Sequence, residues 1–148
     1  MSEALHLKNQ LCHRLYTASN ALTRAYRPLL TPLDLTYPQY VVLMSLWEND
    51  NIPIQRLIHH THIDGGSLTQ ILNKLSKKEY LTLHSDPSDR RKRRVCLTEK
   101  GRALEQEAEK VPRDLVCQIQ GFSLTEAQQL AQLLDKLNQA IQEPGETE

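Results

Sequence analysis

Apolar residues recur along most of this chain at helical spacing, and one stretch switches to strict alternation. Leu11, Leu15, Ala18, Leu22, Ala25 and Leu29 fall three and four positions apart, which predicts a first helix from about Ala4 to about Leu30. Pro28 and Pro32 are expected to end it, with Leu33-Asp34-Leu35 as the connection. Thr36 and Gln39 have capping-box spacing and Pro38 suits a first helical turn, so a second helix should start there and run through Trp47. Pro53 opens a short third helix containing Ile54, Leu57 and Ile58. Asp64 fits the N-cap of a fourth, whose buried face is Leu68, Ile71, Leu72 and Leu75.

The period then changes. Leu81-Thr82-Leu83 and Val95-Cys96-Leu97 alternate, with the turn Asp86-Pro87-Ser88-Asp89 between them, so this stretch reads as a β-hairpin. Thr98 caps a fifth helix lined by Leu104, Ala108, Val111 and Leu115, which Pro112 should kink or break. Ser123 and Glu126 open a sixth helix with Leu130, Leu133, Leu134, Leu137 and Ile141 as its stripe, and the polar tail after Gln142 is expected to fray. The predicted fold is mainly α with a small β-hairpin wing: a winged helix-turn-helix with N- and C-terminal dimerisation helices. Residues 1–35 should serve dimerisation and sensing, 36–98 form the winged-helix DNA-binding region, and 99–148 dimerise, all within one compact chain. The striped helices at both ends exceed what a small reading head needs, and a symmetric homodimer would bury them.

Composition adds constraints. At 148 residues, 24% charged and 39% hydrophobic, the chain resembles an ordinary soluble domain. Its formal net charge is zero, yet Arg90-Arg91-Lys92-Arg93-Arg94 are consecutive and occupy the tip and return arm of the hairpin. Charge gathered at one point of a neutral chain faces an anionic partner, and a basic hairpin after a helical unit is how a wing reaches DNA phosphates and the minor groove. The polar face of the fourth helix carries Ser67, Thr69, Gln70, Asn73 and Lys74, the candidates for major-groove contact. Two such helices roughly 34 Å apart would read a pseudo-palindromic double-stranded operator. No apolar run approaches the roughly 20 residues that span a bilayer and no signal-peptide pattern opens the chain, so a cytoplasmic location and no membrane partner are expected.

Three cysteines at wide spacing, Cys12, Cys96 and Cys117, form neither a disulfide framework nor a zinc site; they favour free thiols or a transient redox disulfide. His59, His60 and His62 lack a carboxylate or cysteine at ligand spacing, so no metal is expected. No catalytic triad, phosphate-cradling glycine loop or carboxylate pair stands out, so neither an enzyme nor a cofactor is expected. Cys12, Tyr16, Ser19, Thr23 and Tyr26 form a second stripe on the first helix. Tyr16 lies one turn from Cys12, whereas Tyr26 is roughly 21 Å along the axis and cannot reach it within one chain. An antiparallel partner helix could bring Tyr26 to the other subunit's Cys12.

The segments Asp89-x-Arg91 and Val95-x-Leu97-Thr98-x-x-Gly101 resemble the wing signature of MarR-type transcriptional regulators. Leu35-Thr36-Tyr37-Pro38-Gln39-Tyr40 and Asn9-Gln10-Leu11-Cys12-x-x-x-Tyr16 resemble a narrower branch, the OhrR organic-hydroperoxide sensors. That resemblance implies that Cys12 is the peroxide-reactive residue and that Tyr26 and Tyr37 hydrogen-bond its sulfur, with Tyr16 as an additional pocket residue. It also implies Cys117 as a resolving thiol, as in two-cysteine members, and Arg91 as the minor-groove arginine oriented by Asp89. Two positions depart from the branch: Asp64-Gly65-Gly66-Ser67-Leu68-Thr69-Gln70 stands where Asp-Ser-Gly-Thr-Leu-Thr-Pro is usual, and His13 follows the cysteine where an apolar residue is common.

A peroxide-reactive cysteine must be a thiolate, which phenolic donors stabilise without adding charge and which Lys8 and His13 could favour electrostatically. Its sulfenic acid would condense with a nearby thiol. If the partner's thiol lies beyond the 4.4–6.8 Å Cα separation of a disulfide, closing the bond moves the reading heads and releases DNA. Two other functions fit the same residues: a regulator released by a non-covalent phenolic ligand, and a thiol-dependent peroxidase.

Overall fold

The computed structural model describes residues 2–142. Among the described residues, seven α-helices and a three-stranded sheet run in the order α1 (Leu11–Leu30), α2 (Tyr37–Glu48), β1 (Ile52–Pro53), α3 (Ile54–Thr61), α4 (Gly65–Lys77), β2 (Leu81–Ser85), β3 (Arg93–Leu97), α5 (Glu99–Ala108), α6 (Val111–Gln118) and α7 (Leu124–Gln142). The chain divides into two compact units, Met1–Leu115 and Val116–Glu148. The expected frayed tail after Gln142 lies outside the described residues.

The first helix starts later than expected, at Leu11 rather than Ala4. Two short 3-10 turns, Glu3–Leu5 and Leu7–Asn9, precede it. Side chains compete there for backbone carbonyls: the Asn9 amide donates to the Glu3 carbonyl at 2.9 Å and the Arg14 Nε to the Lys8 carbonyl at 3.2 Å. Pro28 does not end α1 either. It lies inside the helix on an exposed position, where water can satisfy the Arg24 carbonyl that loses its partner. The helix stops at Leu30, and a 3-10 turn over Thr31–Leu33 ends on Asp34 in the left-handed region.

Local signals fix the next elements as expected. Thr36 and Gln39 form the reciprocal capping box of α2, and Asp64 caps α4 through the Ser67 N–H at 2.9 Å. The fifth predicted helix breaks after Ala108, and Pro112 sits in the first turn of α6. Leu30, Leu43, Leu46, Leu57, Leu68, Leu72, Leu75, Leu81, Val95 and Val111 fill the core of the first unit. The Trp47 indole donates to the Gly101 carbonyl at 2.9 Å, tying α2 to α5.

The sheet order is β1-β3-β2, antiparallel throughout. Leu81 pairs with Leu97 and Ser85 with Arg93 in the hairpin, as the alternation predicts. The two-residue strand β1 was not foreseen: Ile52 pairs with Val95 and Pro53 with Arg94 on the other edge of β3.

In the second unit, Ser123 and Glu126 form the predicted box: the Ser123 N–H donates to the Glu126 carboxylate at 2.8 Å and the Glu126 N–H to the Ser123 hydroxyl at 3.2 Å. Leu130, Leu133 and Ile141 of α7 are exposed, as are Val116, Phe122 and Leu124. No described helix is long and apolar enough to cross a membrane.

Candidate functional site

Helix α4 turns Leu68, Leu72 and Leu75 into the core and leaves Ser67, Thr69, Gln70, Asn73 and Lys74 exposed. The five candidate reading residues therefore share an uncovered surface. The cap that starts this helix is charge-assisted, because hydrogen bonds from the backbone and hydroxyl of Ser67 hold the Asp64 carboxyl below its usual range. The Thr69 hydroxyl donates to the Gly65 carbonyl at 2.8 Å, which fixes its rotamer on this exposed face.

The wing tip is ordered by two aspartates. Asp86 is buried and accepts from the Ser88 N–H at 2.8 Å, the Ser88 hydroxyl at 2.5 Å and Arg94 Nη1 at 3.0 Å. The Ser88 contacts and then Arg94 push its carboxyl far below the ordinary aspartate range. Asp89 accepts the Arg91 N–H at 3.0 Å and lies 3.9 Å from Arg91 Nε, so the aspartate sits where it can orient that arginine. The Arg91 side chain is 96% exposed. Arg90, Lys92 and Arg93 are exposed as well.

Arg94 does not stand with its neighbours. Its Nε donates to Asn51 Oδ1 at 2.9 Å, its Nη2 to the Asn51 carbonyl, and its Nη1 pairs with Asp86. Cys96, two residues along and on the same strand face, donates to the same Asn51 oxygen at 3.2 Å. Asn51 holds this corner with φ 54°. Next to it, Asp50 accepts the Leu97 N–H at 2.8 Å and pairs with Arg102 at 2.6 Å. Sequence reasoning missed this corner, because its organising strand is only two residues long and Asn51 precedes Arg94 by 43 positions.

The sulfur-bearing stripe of α1 is uncovered over most of its length. Cys12, Tyr16, Ser19 and Thr23 are exposed, Tyr16 at 66%. Lys8 lies in the preceding 3-10 turn and not on the helix. At the far end, Tyr26 is half-buried with its ring 4.9 Å from that of Tyr37 and 6.0 Å from that of Tyr40. Trp47 extends the cluster at 6.2 Å from Tyr40. Burial, and then the neighbouring Tyr37, raise the Tyr26 phenol above its ordinary value, which keeps it a neutral O–H donor at physiological pH. The structure thus brings Tyr26 and Tyr37 together and leaves Cys12 and Tyr16 at the other end of the helix. Tyr40 and Trp47 were not singled out from the sequence, although their aromatic character was a usable signal.

A cavity of about 510 Å³ opens beside this cluster, lined by Tyr40, Met44, Trp47, Glu105, Ala108 and Pro112 among others. Cys117, near the end of α6 in the second unit, is exposed, and Cys96 is partly covered. Burial pushes the Cys96 thiol up, which disfavours its thiolate. Among the described residues no three His, Cys, Asp or Glu side chains gather to hold a metal ion.

An exposed polar helix following a short helix and turn, joined to a basic hairpin, defines a winged helix-turn-helix transcriptional regulator. The MarR family profile matches residues 35–92. The chain is 33% identical over 133 residues to the organic hydroperoxide resistance transcriptional regulator of Bacillus subtilis (strain 168), covering 90% of this chain and 88% of that protein. Among solved structures, reduced AbfR bound to DNA superposes with a TM-score of 0.82 at 26% identity, over 95% of both chains. BpsR of Bordetella bronchiseptica, whose DNA binding is regulated by 6-hydroxynicotinic acid, superposes with a TM-score of 0.82 at 27% identity, over 90% of this chain and 96% of that one. The chain belongs to the MarR family.

Proposed function

We propose that this regulator is a homodimeric, redox-responsive repressor that binds a pseudo-palindromic DNA operator and releases it when Cys12 is oxidised by an organic hydroperoxide. The observation that carries the reading is the split sulfur site: an exposed Cys12–Tyr16 pair at one end of α1 and a packed Tyr26–Tyr37 pair at the other. An antiparallel second copy of α1 would complete it, with the partner's Tyr26 and Tyr37 phenols donating to the Cys12 sulfur. Leu5, Leu7, Leu11 and Leu22 are exposed near that stripe, and the α7 stripe is exposed as well, so the segments 1–35 and 99–148 supply apolar surface for a dimer.

The chemistry balances without a cofactor. The Cys12 thiolate attacks the hydroperoxide, breaks its O–O bond and becomes a sulfenic acid, while the alkoxide leaves and takes up a proton as the alcohol. Cys117 of the other subunit then attacks the sulfenic sulfur, giving an intersubunit disulfide and water. Ser67, Thr69, Gln70, Asn73 and Lys74 read the major groove. Arg91 enters the minor groove, oriented by Asp89, while Arg90, Lys92 and Arg93 meet phosphates; Arg94 supports them from the wing base. The likeness to the Bacillus hydroperoxide regulator and to DNA-bound reduced AbfR supports both halves of the reading.

A direct test treats the reduced protein with one equivalent of cumene hydroperoxide, with and without dimedone, and maps the cysteines by mass spectrometry. The expected products are a dimedone adduct on Cys12 and, without the trap, a Cys12–Cys117 crosslink that runs as a dimer on a non-reducing gel. Modification at Cys96 alone, or none, contradicts the proposal.

The cavity beside Tyr40 and Trp47, together with the ligand-regulated BpsR, favours one second reading: release by a non-covalent phenolic ligand. Loss of DNA binding on adding such a ligand under full reduction would select it.

A further inference from the structure

A hollow of about 480 Å³ lies between the start of α3 and the wing, and Gln55 and Arg56 on its α3 side have no part in the reading above. Arg56, Arg91, Lys92 and Arg93 line it together with Pro53, Ile54 and Gln55. The sheet explains why these distant segments meet. Pairing of Pro53 with Arg94 draws the first turn of α3 against the base of the wing. Side chains alternate along β3, so Arg94 and Cys96 face Asn51 while Arg93 shares the opposite face with buried Val95 and Leu97. That second face packs the core that includes Leu57 of α3, and exposed Arg93 at its end lines the same hollow as Arg56.

Four cationic side chains therefore line one open hollow. Among the described residues only Arg91 has a carboxylate oxygen within 4 Å, that of Asp89 at 3.9 Å, and Arg56, Lys92 and Arg93 form no ion pair. The Gln55 amide adds neutral donors. Guanidinium forks match the paired oxygens of a phosphate, the anion that duplex DNA presents.

We propose that this hollow seats a backbone phosphate of bound duplex DNA, with Arg56 as a phosphate-contacting residue opposite Arg93. This rests on the DNA-binding reading above and extends it: α3 and the wing grip the same strand from two sides, so seating the wing and docking the reading helix become one event.

A phosphate contact is independent of sequence, so the probe is a random-sequence duplex of about 30 base pairs, titrated over a salt series. Wild type should bind with a steep salt slope. Arg56→Ala should lower that slope by about two per bound dimer, one contact from each subunit, and weaken binding by well over tenfold near 0.1 M salt, since each phosphate contact releases about 0.9 counterions. Thermal melting should be unchanged, Arg56→Lys should recover most of the slope, and Arg113→Ala on α6 should leave it alone. An Arg56→Ala slope equal to wild type overturns the phosphate site and leaves the DNA-binding reading standing. Failure of wild type to bind the duplex even at low salt overturns both.

Discussion

Arg91 and Arg94 belong to one basic run and do opposite things. Arg91 is held only by its backbone and the rim of Asp89, and its side chain is free to reach a groove. Arg94 is spent on Asp86 and Asn51. Arg91→Ala should therefore weaken duplex binding without changing melting. Arg94→Ala should lower melting and speed hydrogen exchange in the wing, with weakened binding as a consequence. Equal melting of the two variants would contradict this division. Acid should act on the same corner. Asp86 has a depressed carboxyl pKa, so its contribution is complete above the ordinary aspartate value of about 4 and is lost as pH falls through the lower folded value. Wing amides should gain exchange protection as pH rises toward 4 and hold it above, relative to Asp86→Asn; a profile identical to that variant would refute the assignment.

At the scale of elements, the sequence was legible wherever a short-range signal decided the outcome. Thr36 with Gln39, Asp64, Thr98 and Ser123 with Glu126 each mark a helix start that the structure places within a residue. What failed was decided over longer range. The start of α1 depended on side chains of Asn9 and Arg14 capturing upstream carbonyls, and β1 exists only because β3 lies beside it. Pro28 was overridden because its exposed position tolerates a missing helical bond. Gly101, part of the wing signature, has a clear reason for being glycine: a Cβ there would sit 2.0 Å from the Tyr80 carbonyl oxygen. Gly101→Ala must push α5 away from β2 and β3, with a cost of about 2 kcal/mol or more and a fall in melting temperature of several degrees. A variant that melts like wild type would show that this junction yields easily.

At the scale of the whole molecule, the single chain leaves Cys12, Tyr16 and its longest apolar stripes uncovered. Tyr26 and Tyr37 were legible as a pair only through the family resemblance; Tyr26 and Cys12 share a helix face yet stand about 21 Å apart, and nothing in one chain closes that gap. A partner subunit is the missing physical element, which is why sequence periodicity pointed to dimerisation more clearly than to the site itself. The proposed release of DNA on oxidation of Cys12 can be read from binding of a duplex selected from a random pool by the reduced protein, before and after one equivalent of cumene hydroperoxide, for wild type and Cys12→Ser. Wild type should lose affinity by tenfold or more and regain it with dithiothreitol, while Cys12→Ser stays bound throughout. Equal retention of DNA by both proteins would contradict the claim and leave Cys12 as a residue of the dimer surface.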